Sequence, residues 1–448
     1  GMAGAGFGEA GLAIASYEWV AAITLVFVAL YLLPRFLRSG IYTIPEYLEY
    51  RYSPAARGVM AVFMMMMYVG VALPSILYSG AIGITTIFGI DLTLAVWLIG
   101  IVAGAYTIYG GLKAVVWTDL FQGIALLIGG AIVLFLALDA VGGPAKFFEQ
   151  SGHKLHMVLP ADHPEIPWTA LIIGIWIPNL FYWGLNQFIT QRTLGAKSVR
   201  QGQMGVMLAA SIKLVIPFII VFPGIMALQL YGDQIAKGDQ AYPTLIREIL
   251  PAGLRGIMFA ALFGAVLSSL DSMLNSASTI FTMDLYRRHL KPDAPAERLV
   301  GIGRITTGVL VLIACGIAPF LDHPRFGGIF KYIQMFQGFI SPGIVVVFLF
   351  GMVVKRAPAR AAVVAMLANI VVYGLLLWFL PDVAFLNHMA ITAAVLALLM
   401  AVITAIRPLA EPVTLPVKEG IDTRSSPAAK AWGLAIVVAT VALYVVFW

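Results

Sequence analysis

A short list of polar residues interrupts a chain made almost entirely of apolar stretches: Glu18, Asp119, Asn179, Lys213, the cluster Ser268, Ser269, Asp271 and Ser272, and Gln334. A charged side chain at mid-bilayer costs about 2.5–3.5 kcal/mol on insertion scales, so residues of this kind in membrane segments usually line a site or a pathway. Glu18, Asn179, Lys213 and Gln334 combine a carboxylate, two amides and an ammonium. Together they offer hydrogen-bond donors and acceptors in fixed directions, which a polyhydroxylated ligand requires. Tyr17, Tyr182, Trp183 and Phe330 lie beside them or within a turn, and would suit the apolar face of a sugar ring. No HExxH or GxSxG pattern accompanies them, so the chemistry is binding and not bond cleavage.

A second constellation is LSSLDSMLNS, residues Leu267–Ser276. On a helix Ser268, Asp271, Ser272 and Asn275 fall at i, i+3, i+4 and i+7, on one face, with Ser269 beside the stripe. A hard cation such as sodium wants several oxygen ligands, by analogy with calcium and magnesium, and hydroxyls plus backbone carbonyls supply them without excess charge. Back-bonding within the helix would equally account for any one serine. Asp119, in GGLKAVVWTDLFQG, lies a few residues into its span from the cytoplasmic side, either at an aqueous interface or on a cation's way out. Lys213 sits too near the middle of its span to snorkel, whereas an interhelical hydrogen bond would also explain Gln334.

These residues need a scaffold, and the composition defines it. The 448 residues are 61% hydrophobic and only 11% charged, where a soluble protein carries about a quarter charged residues. The apolar runs are continuous, not alternating, so the fold is all-α and polytopic instead of a β-barrel. Twelve spans are predicted, at about 12–38, 55–85, 92–110, 115–139, 168–191, 200–230, 254–286, 299–320, 327–354, 358–380, 385–406 and 429–448. The net charge of +6 does not mark a nucleic-acid partner, because Lys and Arg concentrate in alternate loops. That asymmetry sets topology, placing loops such as those with Arg35, Arg57, Arg192 and Arg288 in the cytoplasm and both ends of the chain outside a plasma (inner) membrane. A lone cysteine, Cys315, excludes an intrachain disulfide framework.

Residues 1–406 read as one transmembrane domain, 407–428 as a proline-containing cytoplasmic linker, and 429–448 as a last helix. IYTIPEYLEYRYS, from Ile41, is expected along the cytoplasmic interface. Helical regularity breaks in Gly1–Gly11 and in Ile177–Gln187, where Pro178 and Gly184 stand inside a span. Interrupted spans about five spans apart fit two five-span halves, the pattern that points to the site in inverted-repeat transporters, although a packing kink would also explain the second break.

At these residues the chain resembles the sodium:solute symporter family, in particular its sodium/sugar cotransporter branch. The likeness runs through SYEW at Ser16, GIYTIPEYLE at Gly40, YGGLKAVVWTD at Tyr109, NLFYWGLNQFITQRTLGAKS at Asn179, SSLDSMLNSASTIFTMDLY at Ser268 and YIQ at Tyr332. It implies a LeuT-like core of two inverted five-helix repeats with extra C-terminal helices, entered here inside the first core helix, as a fragment would be. It implies sodium-coupled symport of a galactose- or glucose-like monosaccharide by alternating access, not catalysis; another polyol or a sugar acid, such as inositol or sialic acid, is the alternative. A passive channel or membrane sensor is the alternative of another class. Carried over by position, Glu18, Asn179, Lys213 and Gln334 become sugar ligands; Met2, Tyr17 and Phe330 the outer gate; Tyr182 the inner gate; and Ala265, Ser268 and Ser269 the sodium site. Asp119 matches a carboxylate of sodium release, and Asp271 with Ser272 and Asp119 is expected to form a second or exit cation site. Ala21 departs from galactose-transporting members, which carry a small hydroxyl residue there. The expected partners are the sugar, Na+, the lipid bilayer and a second copy in a homodimer.

Overall fold

The structure, a computed structural model, describes residues 1–109, 120–323, 328–417 and 425–448. Among them eleven helices are long and apolar enough to cross a membrane, or twelve if the bent pair Ile329–Gln337 and Ser341–Val353 is one span. Their limits follow the hydropathy pattern closely: Gly11–Ser39, Pro54–Phe88, Leu92–Tyr109, Leu120–Ala140, Trp168–Leu185, Val199–Gln234, Ala252–Leu290, Ala296–Asp322, Ala359–Phe379, Phe385–Ile406 and Pro427–Val446.

Lipid tails are as apolar as leucine, so helices in a bilayer associate by close packing and hydrogen bonds. The short helix Met2–Phe7 shows the first device. A Cβ at Gly224 would collide with the Ala3 backbone, and one at Gly4 with the Gly238 backbone. Glycine thus lets Met2–Phe7 lie backbone to backbone on the Val199–Tyr231 helix.

Prolines show the second device. A proline lacks an N–H and its ring displaces the carbonyl four residues earlier, which in lipid must find another donor. Pro74 frees the Gly70 carbonyl, inside a π-helical turn at Tyr68–Ala72, and the Tyr332 hydroxyl donates to it at 2.9 Å. Pro223 frees Ile219, whose carbonyl accepts from the Tyr242 hydroxyl at 3.2 Å. Pro342 frees Gly338, whose carbonyl accepts from Asn369 Nδ2 at 3.2 Å. The last of these lies at a 45° bend between Ile329–Gln337 and Ser341–Val353. The span expected at 327–354 is thus a bent pair of helices. Asn369 also donates to the Phe339 carbonyl and accepts from the Gly343 amide at 2.8 Å, and the Tyr373 hydroxyl donates to the Met335 carbonyl at 3.0 Å. The Ala359–Phe379 helix thereby splints the bend.

Both breaks anticipated from the sequence are present. The first runs through Gly8–Ala10, and Gly11 adopts φ +52°, a left-handed conformation that favours glycine. Lys154, from the 142–167 loop, donates from Nζ to the Gly8 carbonyl at 2.7 Å. The second break falls at Asn186 (φ −89°, ψ 125°), further along than Pro178. Pro178 stands in the first turn of Trp176–Leu180, where an amide donor is not needed. A π-helical turn, Phe181–Leu185, follows, and Asn186 then starts Gln187–Leu194 by accepting from the Phe188 amide. The Tyr68 hydroxyl fixes Asn186 by donating to Oδ1 at 2.5 Å.

The IYTIPEYLEYRYS segment forms the helix Ile44–Arg51 on the Lys/Arg-rich side. Arg51 is buried there and donates to the carbonyls of Gly351 (2.7 Å), Val354 (2.6 Å) and Ala357 (3.3 Å), capping the end of Ser341–Val353. The fully buried Asp284 accepts from Thr43 at 2.9 Å and pairs with Arg57 at 2.6 Å; Glu49 pairs with Arg57 at 2.9 Å and with Arg288 at 2.7 Å. The last helix is seated by Gln203, which donates to the Ala29 carbonyl and Ser425 Oγ and accepts from the Ser426 amide, each at 3.0 Å. In the linker before it, the Leu409 and Val413 amides donate to the Arg356 and Lys355 carbonyls.

Candidate functional site

Glu18, Asn179, Lys213 and Gln334 stand on four separate elements: Ser16–Phe27, Trp176–Leu180, Val199–Tyr231 and Ile329–Gln337. The fold brings all four to one cavity of about 210 Å³, whose wall also includes Met2, Tyr17, Tyr182 and Phe330. The cavity is large enough to hold a small ring-shaped ligand. The bend after Gln337 adjoins this cavity, whereas Gly8 and Glu9 of the first interruption line the larger cavity described below.

Lys213 Nζ lies 2.6 Å from Glu18 Oε2 and 4.1 Å from the centre of the Trp183 ring. The ammonium thus has a carboxylate and an aromatic face as partners, an ion pair and a cation–π contact. Asn179 Nδ2 is engaged by the Ile175 carbonyl at 2.9 Å. Gln334 Oε1 is buried with no protein partner, and so is the Tyr17 hydroxyl. Buried polar atoms left without a partner in a cavity of this size are the groups a ligand or water would satisfy.

Tyr17 and Phe330 meet edge to face with ring centres 4.9 Å apart. Both also line a cavity of about 500 Å³ on the other side, with Glu165, Lys237, Asp239, Asp322 and Lys331 in its wall. The two rings thus divide the small cavity from a polar vestibule. At the opposite end Tyr182 packs edge-on against Trp183 (4.9 Å) and Phe188 (5.4 Å).

The second constellation lies on the Ala252–Thr279 helix. Ala265 lines a third, apolar cavity of about 700 Å³, whose wall shares Met2 with the sugar-sized one. Ser268 and Ser269 are half-buried and line none of these three cavities. Asp271 Oδ1 accepts from the Thr107 hydroxyl at 2.5 Å, and Ser272 Oγ accepts from Arg192 Nη2 at 2.5 Å while donating to the Ser268 carbonyl at 2.8 Å. Asp119 lies outside the described residues.

Sequence reasoning missed Gln337, which lines the cavity and donates from Nε2 to the Pro178 carbonyl at 3.1 Å. Its i+3 spacing from Gln334 was the available signal. It also missed Arg192, whose partners belong to a helix far away in the chain.

The sequence model of the sodium:solute symporter family matches residues 1–369. The chain is 40% identical to the sodium/glucose cotransporter of Vibrio parahaemolyticus, over 100% of this chain and 87% of that one. It is 34% identical to the uncharacterized symporter YidK of Escherichia coli (strain K12), over 99% and 80%. A solved sodium-coupled sialic acid symporter, in a substrate-bound outward-open state, superposes with a TM-score of 0.78 at 24% identity, covering 90% of this chain and 85% of that one. At that identity the likeness speaks for the fold, the LeuT-like inverted repeat. The chain belongs to the sodium:solute symporter family and is a multi-pass membrane transporter whose coupling ion is sodium.

Proposed function

We propose that this protein imports a neutral monosaccharide with sodium, holding the sugar among Glu18, Asn179, Lys213 and Gln334. The observation that carries the reading is the 210 Å³ cavity, where these four residues converge beneath two aromatic lids. The relatives agree: one is named a sodium/glucose cotransporter and others sodium/myo-inositol cotransporters, the pig protein at 34% identity over 81% of this chain. The Glu18–Lys213 pair favours a neutral ring over a sugar acid, because the ammonium that would bind a carboxylate is already neutralised. A polyol such as inositol is the second reading.

Tyr17, Phe330 and Met2 serve as the outer gate and Tyr182 as the inner one. Sodium binds at Ala265 through its carbonyl and at the Ser268 and Ser269 hydroxyls. Sodium and sugar each tighten the other's site by the same factor, and that reciprocity is the coupling. One charge crossing 100 mV yields about 2.3 kcal/mol. A tenfold sodium gradient adds about 1.4 kcal/mol, so one sodium sustains accumulation of about 500-fold. Residues 407–428 act as a cytoplasmic linker, and the working unit is a single transmembrane domain. Proteoliposome uptake of hexoses, inositol and sialic acid, with and without a sodium gradient, tests the proposal. Sodium-driven accumulation of a hexose is expected; uptake that ignores sodium would refute symport, and accumulation of sialic acid alone would refute the neutral-sugar reading.

A further inference from the structure

Arg192 is exposed at the Lys/Arg-rich end, yet its guanidinium reaches Ser272, a side chain only 1% exposed. The hydrogen bonds continue: Arg192 Nη2 donates to Ser272 Oγ at 2.5 Å, and Ser272 Oγ donates to the Ser268 carbonyl at 2.8 Å. Ser272 lies one helical turn closer to the Lys/Arg-rich face than Ser268. The Arg192 side chain therefore stands beside the polar stripe, one turn closer to the Lys/Arg-rich face than Ser268. Gln191 reinforces the contact, donating to the Ser272 carbonyl and accepting from Asn275 Nδ2, each at 3.4 Å.

The same helix is tied to the sugar cavity. Gln187–Leu194 is the inner half of the broken span that carries Asn179 and Tyr182. Its Phe188 ring packs edge-on against Tyr182 with centres 5.4 Å apart.

We propose that Arg192 is the inward gate for sodium, a positioning residue that bars the ion's exit while Gln187–Leu194 is seated on the Ala252–Thr279 helix. Movement of Tyr182 to release sugar unseats this half-helix, withdraws the guanidinium from Ser272 and opens the ion's route in the same event. The inference rests on the sodium and sugar sites proposed above.

The test compares wild type, Arg192→Gln and Arg192→Lys in proteoliposomes. Three quantities are measured: radiolabelled sodium flux without sugar, sodium-driven accumulation of the hexose that the wild type takes up, and hexose counterflow at equal sodium. Arg192→Gln should raise sugar-free sodium flux about tenfold and cut accumulation by about the same factor, with counterflow within about twofold of wild type. Arg192→Lys, which keeps the charge, should hold the leak near the wild-type value. A wild-type leak in Arg192→Gln overturns the proposal if counterflow survives. Loss of counterflow in both variants without a leak shows a merely structural role and overturns it too. Ser268→Ala and Ser269→Ala separate this from the reading beneath: if sodium dependence survives both, the sodium site itself is wrong, whatever Arg192 does.

Discussion

The Glu18–Lys213 pair permits a double-mutant cycle with a definite expected sign. The two charged atoms are 2.6 Å apart, and their side chains are only 13% and 17% exposed. Lys213→Met leaves a buried carboxylate without its counterion, and Glu18→Gln leaves the ammonium with only the Trp183 face. Removing one member of a desolvated pair costs 2–5 kcal/mol or more, chiefly from the abandoned charge. Taking about 2 kcal/mol, for the residual exposure, each single variant should weaken hexose binding about 30-fold. The double variant Glu18→Gln/Lys213→Met strands no charge and should recover at least half of one single loss in free energy. Competition binding of radiolabelled hexose to purified protein in detergent measures all four corners. If the two losses simply add, the residues act independently on the sugar and the ion-pair argument fails.

Three further outcomes follow from the packing. Asn369→Ala strips donors from the Gly338 and Phe339 carbonyls and the acceptor from the Gly343 amide, at about 1–3 kcal/mol for each group left unsatisfied. Thermal unfolding in detergent should show a clear fall in Tm, and an unchanged Tm would disprove the splint. Gly224→Val should push Met2–Phe7 off its neighbour and abolish hexose binding in protein that still purifies as a monodisperse species; retained binding would show that this close approach is dispensable. For Glu49, burial alone would raise the carboxyl pKa, but hydrogen bonds from Arg288 and Arg57, and their charges, outweigh it and hold the value below the ordinary glutamate range. Its stabilisation is therefore complete above that range and lost as pH falls through the lower folded value. The Tm difference between wild type and Glu49→Gln should shrink on acidification, and a difference that grows would reverse the assignment.

Length and composition made the spans legible, because a bilayer imposes its thickness on any helix that crosses it. The site was legible for a related reason: polar residues are so costly in lipid that Glu18, Asn179, Lys213 and Gln334 stood out, and the fold gathers them in one cavity. The bend at Gly338–Ile340 was not read, although GFISPG carries both a glycine and Pro342. Apolar residues on both sides masked it. Around Pro178 the span is interrupted at residues 173–175, about one turn before it, and again at Asn186. Arg51 counted only as a topogenic charge, whereas its role as a cap for Ser341–Val353 depends on a helix almost three hundred residues away, which no local pattern encodes.

The prolines leave this protein with joints of an unusual kind. At Gly70, Ile219 and Gly338 the missing backbone bond is replaced by one from a hydroxyl or a carboxamide on another helix. A tyrosine hydroxyl can turn its hydrogen about the C–O bond, and an amide can move about its χ torsions, whereas a peptide N–H moves only with its own chain. Each joint can change angle while its carbonyl stays hydrogen-bonded, so no bare dipole faces the hydrocarbon during the swing. The barrier to rocking is then set by a few rotatable side chains and not by solvation of the backbone.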